Sequence, residues 1–474
     1  MRAHVRDLFL RGLGLVFLVA FISLGRQVSV LYGAKGLLPA CEFVGATSWT
    51  SAPSLFRLAC DDRVLHAGIW LGSFLSALLV LGIAPRACVA GLWALYASYV
   101  TVGQDFLSFQ WDNLLLESGF FALFVAPGGL RLWGAPPPHP AGVFLMLWLL
   151  VRLHVESGLA KLLLGDPTWR DLTAMSTYYE TAPLPTWLGW WAHQMPMWAH
   201  KACGAFTYVV ELVLPLAAFG PRALRVPAFL GMAALQAIVI ATANYGFFNY
   251  LSLLLCLWML DDAHLARLGW RAEPAPERVP RPVVDTTHVA AAVLLVPLTV
   301  VPFLPFLHPP DALSRALIPV RRVLDTARTI NAYHLFASMT LVRREVVIEG
   351  SDDGAAWRSY EFRWKPGDLR RAPAFVAPHQ PRVDFQLWFL LLGHRHGERY
   401  FDTLLVRLLT EPAAVASLFA DDPFPTTPPH ELRVAFYRYR FTDRAGRTAA
   451  GAWWTREFEG YSRVLDREAL APRK

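Results

Sequence analysis

Ionisable side chains set in long apolar runs cost free energy to bury, so each one is a candidate for chemistry. The densest group is "RLHVESGLAKL" at 152–162. Arg152 and Glu156 are four residues apart and can pair on one helix face. His154 and Lys161 are seven apart and share another face. Two readings of Lys161 stay open: an amine that snorkels to the outer end of its span, or a desolvated amine with a lowered pKa that acts as a base. In the second reading Glu156, His154 or Glu117 would tune it. "QDFLSFQWDNLLLESGF" at 104–120 supplies Asp112, placed to cap a helix, and Glu117, which lies five residues further in, where capping does not explain a carboxylate. Glu211 in "YVVELVLPL" is a third acid of this kind and a candidate partner for Arg152, His154 or Lys161.

Aromatic residues form the second constellation. Residues 165–201 carry Trp169, Trp187, Trp190, Trp191 and Trp198 together with Tyr178 and Tyr179. Such rings suit either a belt at the membrane surface or an apolar groove for a lipid or a client polypeptide. Asp112, Trp169, Tyr178, Tyr179, Glu180, Trp187, Trp191, Asn244 and Tyr245 are therefore the candidate binding residues. No CxxC, HExxH, GxSxG or P-loop pattern occurs, and neither a metal nor a cofactor is expected. His394 and His396 in "GHRHGE" read as a turn. Cys41 and Cys60 could be bonded in an oxidising compartment, while Cys88, Cys203 and Cys256 read as small apolar fillers.

The elements that position these residues follow from composition. Hydrophobic residues make up 55% of the 474 and charged ones 17%, against roughly 25% charged in a typical soluble chain. The charge is uneven: 45 of the 81 charged side chains lie in residues 311–474. The expected fold is a polytopic α-helical membrane domain over 1–310, a connector over 311–340 and a soluble, β-rich, sandwich-like domain over 341–474 with a helical insertion. Nine spans are expected, near 8–25, 64–84, 87–103, 113–127, 141–164, 202–219, 224–243, 247–260 and 288–307. Arg2, Arg6, Arg86, Arg131, Arg222, Arg225, Arg267, Arg271, Arg278 and Arg281 would then lie in cytoplasmic segments, and the C-terminal domain would face the other side. "REVVIEG", "WRSYEFRWK", "VDFQLWFLLL" and "RVAFYRYRF" are expected to be strands. Residues 398–420 are expected to be helical with a break at Pro412, and a final hairpin is expected through "TDRAGR". The net charge of +7 forms no basic stripe, which argues against nucleic acid.

Longer motifs carry a resemblance. "FQWDNLLLESGFFALFVAP", "ESGLAKLLLGDPTWRDLTAMSTYYETAPLPTWLGWWAHQMP", "ANYGFFNYLSLLLCLWMLDD" and the C-terminal "VVIEGSDDGAAWRSYEFRWKPGDLRRAP" resemble the lipase maturation factor family over nearly the whole chain. This implies a membrane-bound, non-enzymatic folding factor whose C-terminal domain faces a client lipase or other exported polypeptide, with membrane lipid as its surroundings. The Arg-, Ala- and Pro-rich composition and the absence of a KDEL-like tail suggest a bacterial inner membrane with a periplasmic C-terminal domain. In a eukaryote the membrane would be that of the ER and the domain luminal. "SGLAKL" with Trp169 and "DLTAM" is similar to a segment of the vitamin K-dependent gamma-glutamyl carboxylase membrane module. That second resemblance implies the alternative, an integral-membrane enzyme using Lys161 as base on a lipid-soluble cofactor or lipid substrate.

Overall fold

In the computed structural model, residues 2–267, 269, 276, 278–392 and 398–468 are described; His394 and His396 lie outside them. Helices follow the apolar runs. Six are long and apolar enough to cross a membrane: Ala3–Gly25, Asp62–Leu81, Pro140–Leu163, Met197–Phe219, Arg222–Thr242 and Pro282–Leu307. The other expected spans fall on Pro85–Val102, Gln110–Ala122 and Phe248–Met259, which are shorter or less apolar. Gln110–Ala122 is nearly enclosed by its neighbours, whereas Arg222–Thr242 turns most of its surface outward.

One end of the bundle is tied by basic and acidic side chains bound to backbone groups. Asp262 accepts the N–H groups of Ala3 and His4 at 2.9 and 3.0 Å, a carboxylate at a helix N-terminus. Arg11 donates to Val80 O at 2.6 Å, Arg6 to Pro136 O at 2.6 Å and Arg86 to Ala126 O at 2.9 Å. At the other end Cys41 and Cys60 form a disulfide with their Cα atoms 5.5 Å apart.

Beyond the last long helix comes Asp311–Ala327, an exposed amphipathic helix with only Leu324 buried. Residues 330–339 follow without regular structure, and they enter the bundle rather than bridge a gap: Ile330, Tyr333 and Ala337 are all buried. The C-terminal region holds one five-stranded antiparallel sheet. Its order is Arg358–Ser359, Arg343–Ser351, Glu431–Phe441, Trp454–Tyr461, with Leu465–Asp466 also pairing to Glu431–Phe441. Glu361–Phe362 and Phe419–Asp421 form a separate two-stranded ribbon.

Three local expectations need correction. "VDFQLWFLLL" is not a strand but the helix Arg382–Leu390. Its first six residues are all buried. Arg382, Asp384 and Gln386 alternate with apolar residues as in a strand, but Arg382 and Asp384 are drawn inward by Asp112 and by the N–H groups of Trp364 and Lys365. "WRSYEFRWK" contributes only two residues to each of two short strands. The final hairpin carries a helix, Arg444–Ala450, between Glu431–Phe441 and Trp454–Tyr461; Asp443 caps it by accepting from Gly446 N at 2.6 Å. Residues 398–420 are helical to Thr410, and a break at Pro412 precedes two short turns of helix.

A single apolar core joins the two parts, running from Phe17, Tyr96 and Leu150 in the bundle to Phe385, Tyr400 and Val434. A second core sets Trp190 of the tryptophan-rich segment against Tyr439, Phe441 and Trp454 of the sheet.

Candidate functional site

Most of the charged residues singled out from sequence are brought to the joint between bundle and C-terminal region, where each has a partner. Arg152 donates to Glu117 at 2.7 Å and to Glu156 at 2.8 Å, and it also binds the carbonyl of Asn331. Glu117 accepts the Tyr333 hydroxyl at 2.7 Å and the Asn331 N–H at 3.0 Å. Glu156 accepts the Tyr333 N–H at 2.9 Å. Both carboxylates thus grip residues 331–333 from below. Asp112 does not cap its helix: the N-cap is Phe109, and Asp112 is the third helical residue. It receives both Arg382 Nη atoms, at 2.5 and 2.8 Å, and the Tyr96 hydroxyl at 2.6 Å. A bidentate guanidinium–carboxylate pair is among the stronger hydrogen-bonding arrangements.

Asn244 does the same work with neutral groups. Its Oδ1 accepts from Val376 and Ala377 N–H at 2.8 and 2.9 Å, and its Nδ2 donates to Leu184 O and Ala374 O at 3.0 and 2.9 Å. Gly246 beside it has φ +54, and a Cβ there would stand 2.5 Å from Gln380 Oε1. Glycine alone suits both the angle and the approach. Glu180 accepts from Phe441 N at 2.7 Å. Trp169 donates to Phe336 O at 2.7 Å. Trp187 and Trp191 remain partly outward, against Phe375 and beside Arg444 respectively.

Sequence reasoning missed the partners on the C-terminal side. Arg382 stands immediately before a segment taken for a strand, and Tyr333 lies in one taken for a connector. Arg343 and Lys365, which both pair with Glu345 at 2.5 and 2.9 Å, sit in a domain expected to be soluble, where charges draw no notice.

Lys161 is the exception in kind. It does not snorkel: its Nζ lies 2.8 Å from Glu211, donates to Leu335 O at 2.9 Å, and is buried. Glu211 sits in a π-helical turn, Val209–Val213, a widening often found where a helix serves a site. Gly158 lets the two helices meet there, since a Cβ would fall 2.7 Å from Leu212. Lys161, Glu211, His154, Tyr178, Tyr179 and Tyr245 all border one cavity of about 110 Å³. Among the described residues, no group of three His, Cys, Asp or Glu could hold a metal ion.

The joint also carries a titratable group outside the bundle. His379 Nδ1 lies 2.8 Å from Ser23 Oγ. Burial, then the charges of Arg26 and Arg382, push its pKa down to about 4, from about 6.5 in an unfolded chain. The unfolded state therefore takes up the proton first as pH falls, and stability drops between about pH 6.5 and 4 while staying level above that window. The melting temperature is expected to fall more steeply over this range for the wild type than for His379→Gln; parallel curves would discard the assignment.

A helical membrane bundle whose β-containing C-terminal region is locked on through buried charges defines a class: integral membrane proteins with several membrane helices and a C-terminal region packed onto them. The sequence matches the family model described as the lipase maturation factor transmembrane domain over residues 4–267, and that of the lipase maturation factor C-terminal domain over 329–463. The chain belongs to the lipase maturation factor family. It is 33% identical to lipase maturation factor 2 of Gallus gallus, over 95% of this chain and 80% of that protein. To lipase maturation factor 2 of Homo sapiens it is also 33% identical, over 96% and 81%. Lipase maturation factor 1 of Bos taurus is 32% identical over 98% and 89%. No solved structure matches the chain.

Proposed function

We propose that this protein is a non-enzymatic maturation factor that assists the folding of a lipase or another exported polypeptide at the membrane. The observation that carries the reading is the match to both family domains, in order, along nearly the whole chain. In this reading residues 1–310 cross a bacterial inner membrane nine times, and residues 341–474 stand on the opposite side from the N-terminus. The arginines gathered at the Ala3 end of the bundle support that orientation. Residues 330–339 belong to the joint, and the exposed helix Asp311–Ala327 leads into it. Client contact falls to the outward sheet, where Phe458 and Tyr461 lie on the edge strand and are half exposed. Incompletely folded chains expose apolar surface that such rings can meet.

The test is made on Lys161, because its amine is the residue on which the enzymatic alternative depends. Lys161→Ala and Lys161→Arg are placed in a strain lacking the wild-type copy, and abundance is measured beside the yield of active secreted lipase. The yield is expected to fall only in step with abundance. Yield lost in both variants at normal abundance would overturn the non-enzymatic reading.

A further inference from the structure

We infer that the cavity beside Lys161 is a binding site for a neutral, hydroxyl-bearing lipid that enters from the bilayer. The inference stands apart from the maturation reading, since it rests on the cavity alone. Leu335 and Phe336 close the space on the side of the C-terminal region. Leu235, Ile238 and Val239 of the Arg222–Thr242 helix border it on the side facing lipid, and Ile238 is 41% exposed there. A ligand that reaches the cavity past these side chains comes from hydrocarbon.

The polar groups of the lining select its head. Ser157, Thr207, Thr242 and Ser252 each turn the hydroxyl back onto a carbonyl of their own helix, at 2.8 to 2.9 Å. Asn249 donates to Gln236 at 2.8 Å. Lys161 and Glu211 neutralise each other, so a charged head would add an uncompensated charge to a buried site. Among the groups of the lining left without a hydrogen-bond partner are the Tyr178 and Tyr245 hydroxyls and His154 Nε2. Of these, His154 is the one that can only accept. It is 3% exposed, its Nδ1 lies 3.0 Å from Leu150 O, and its Nε2 has no partner. A carbonyl only accepts, so Nδ1 carries the hydrogen and Nε2 keeps a bare lone pair on a side chain that lines the cavity. A buried acceptor of this kind is satisfied by a donor, and a hydroxyl is the neutral donor a lipid carries. The Tyr178 and Tyr245 hydroxyls, on the same cavity lining, can accept from or donate to the same head. An apolar cavity of roughly 150 Å³ holds one benzene ring. A space of about 110 Å³ therefore takes a head of glycerol size and leaves the acyl chain between helices.

The full-length protein in detergent is titrated with radiolabelled 1-monooleoylglycerol, methyl oleate and oleate. One saturable site is expected for the monoglyceride, with the other two at least about tenfold weaker, the factor that a single hydrogen bond carries. His154→Phe is expected to erase the preference over methyl oleate. Ile238→Trp, at an exposed position on the mouth, is expected to abolish binding while circular dichroism melting stays near wild type; it decides the matter if His154→Phe does not fold. The proposal is overturned by no saturable binding (a cavity holding water only), by equal affinity for methyl oleate, by a preference that survives His154→Phe, or by unchanged binding in Ile238→Trp.

Discussion

Arg152→Met is expected to prevent the folded protein from accumulating in the membrane. The change removes the one cation between Glu117 and Glu156, which are both buried and 2.7 and 2.8 Å from it. It also strips a donor from the Asn331 carbonyl, so residues 331–333 lose part of their seat. Breaking a buried ion pair by removing one partner costs about 3–5 kcal/mol, a large share of the about 5–15 kcal/mol that keeps a domain folded. Two stranded carboxylates put the expected loss at the upper end. Arg152→Lys keeps the charge but not the planar fork that reaches both acids at once, so an intermediate level is expected. Fluorescence size-exclusion chromatography of membranes solubilised in mild detergent reads both outcomes. A monodisperse Arg152→Met protein at wild-type abundance would show that the two acids are met by something other than Arg152.

Arg382→Gln is expected to loosen the C-terminal region from the bundle with a comparable loss, because it leaves Asp112 buried with only the Tyr96 hydroxyl as donor. The informative comparison is with Asp112→Asn/Arg382→Gln. Replacing both partners by neutral groups removes the stranded charge, so the double variant is expected to be more stable than Arg382→Gln alone, with a coupling of about 1–3 kcal/mol. Limited proteolysis and melting in detergent check it. Strict additivity of the two single changes would mean that the pair is not formed.

What the sequence made legible follows from period and charge. Apolar runs marked the long helices, and the alternating "REVVIEG" and "RVAFYRYRF" gave the two central strands, which pair as Val347 with Ala435. Arg152 and Glu156 were readable as a pair because they are four apart in one helix. Glu211 was among the candidates offered for Lys161, and the two do pair. The C-terminal partners of Asp112, Glu117 and Lys161 were not readable, since they lie 270, 216 and 174 residues away, and no local spacing encodes such contacts. The helix Arg382–Leu390 escaped for a related reason: its polar residues alternate with apolar ones as in a strand, and only distant partners such as Asp112 hold them inward. Thus the residues that look most like chemistry in the sequence are largely those that fasten two parts of one molecule. His154 could be noticed as an odd residue in a span, but its unpaired nitrogen emerges only with the cavity around it.

The distance between Asp112 and Arg382 bears on how the chain is made. At about 5–20 residues per second of synthesis, the guanidinium follows the carboxylate out of the ribosome by roughly 15–50 s, because 270 residues separate them. During that interval Gln110–Ala122 has no counter-ion for an acid at its first turn, and Glu117 waits almost as long for Tyr333. The helix therefore has reason to linger at the translocation channel or its water-lined margin until the last third of the protein arrives. The seat of Gln110–Ala122 is complete only once the C-terminal end of the chain has arrived.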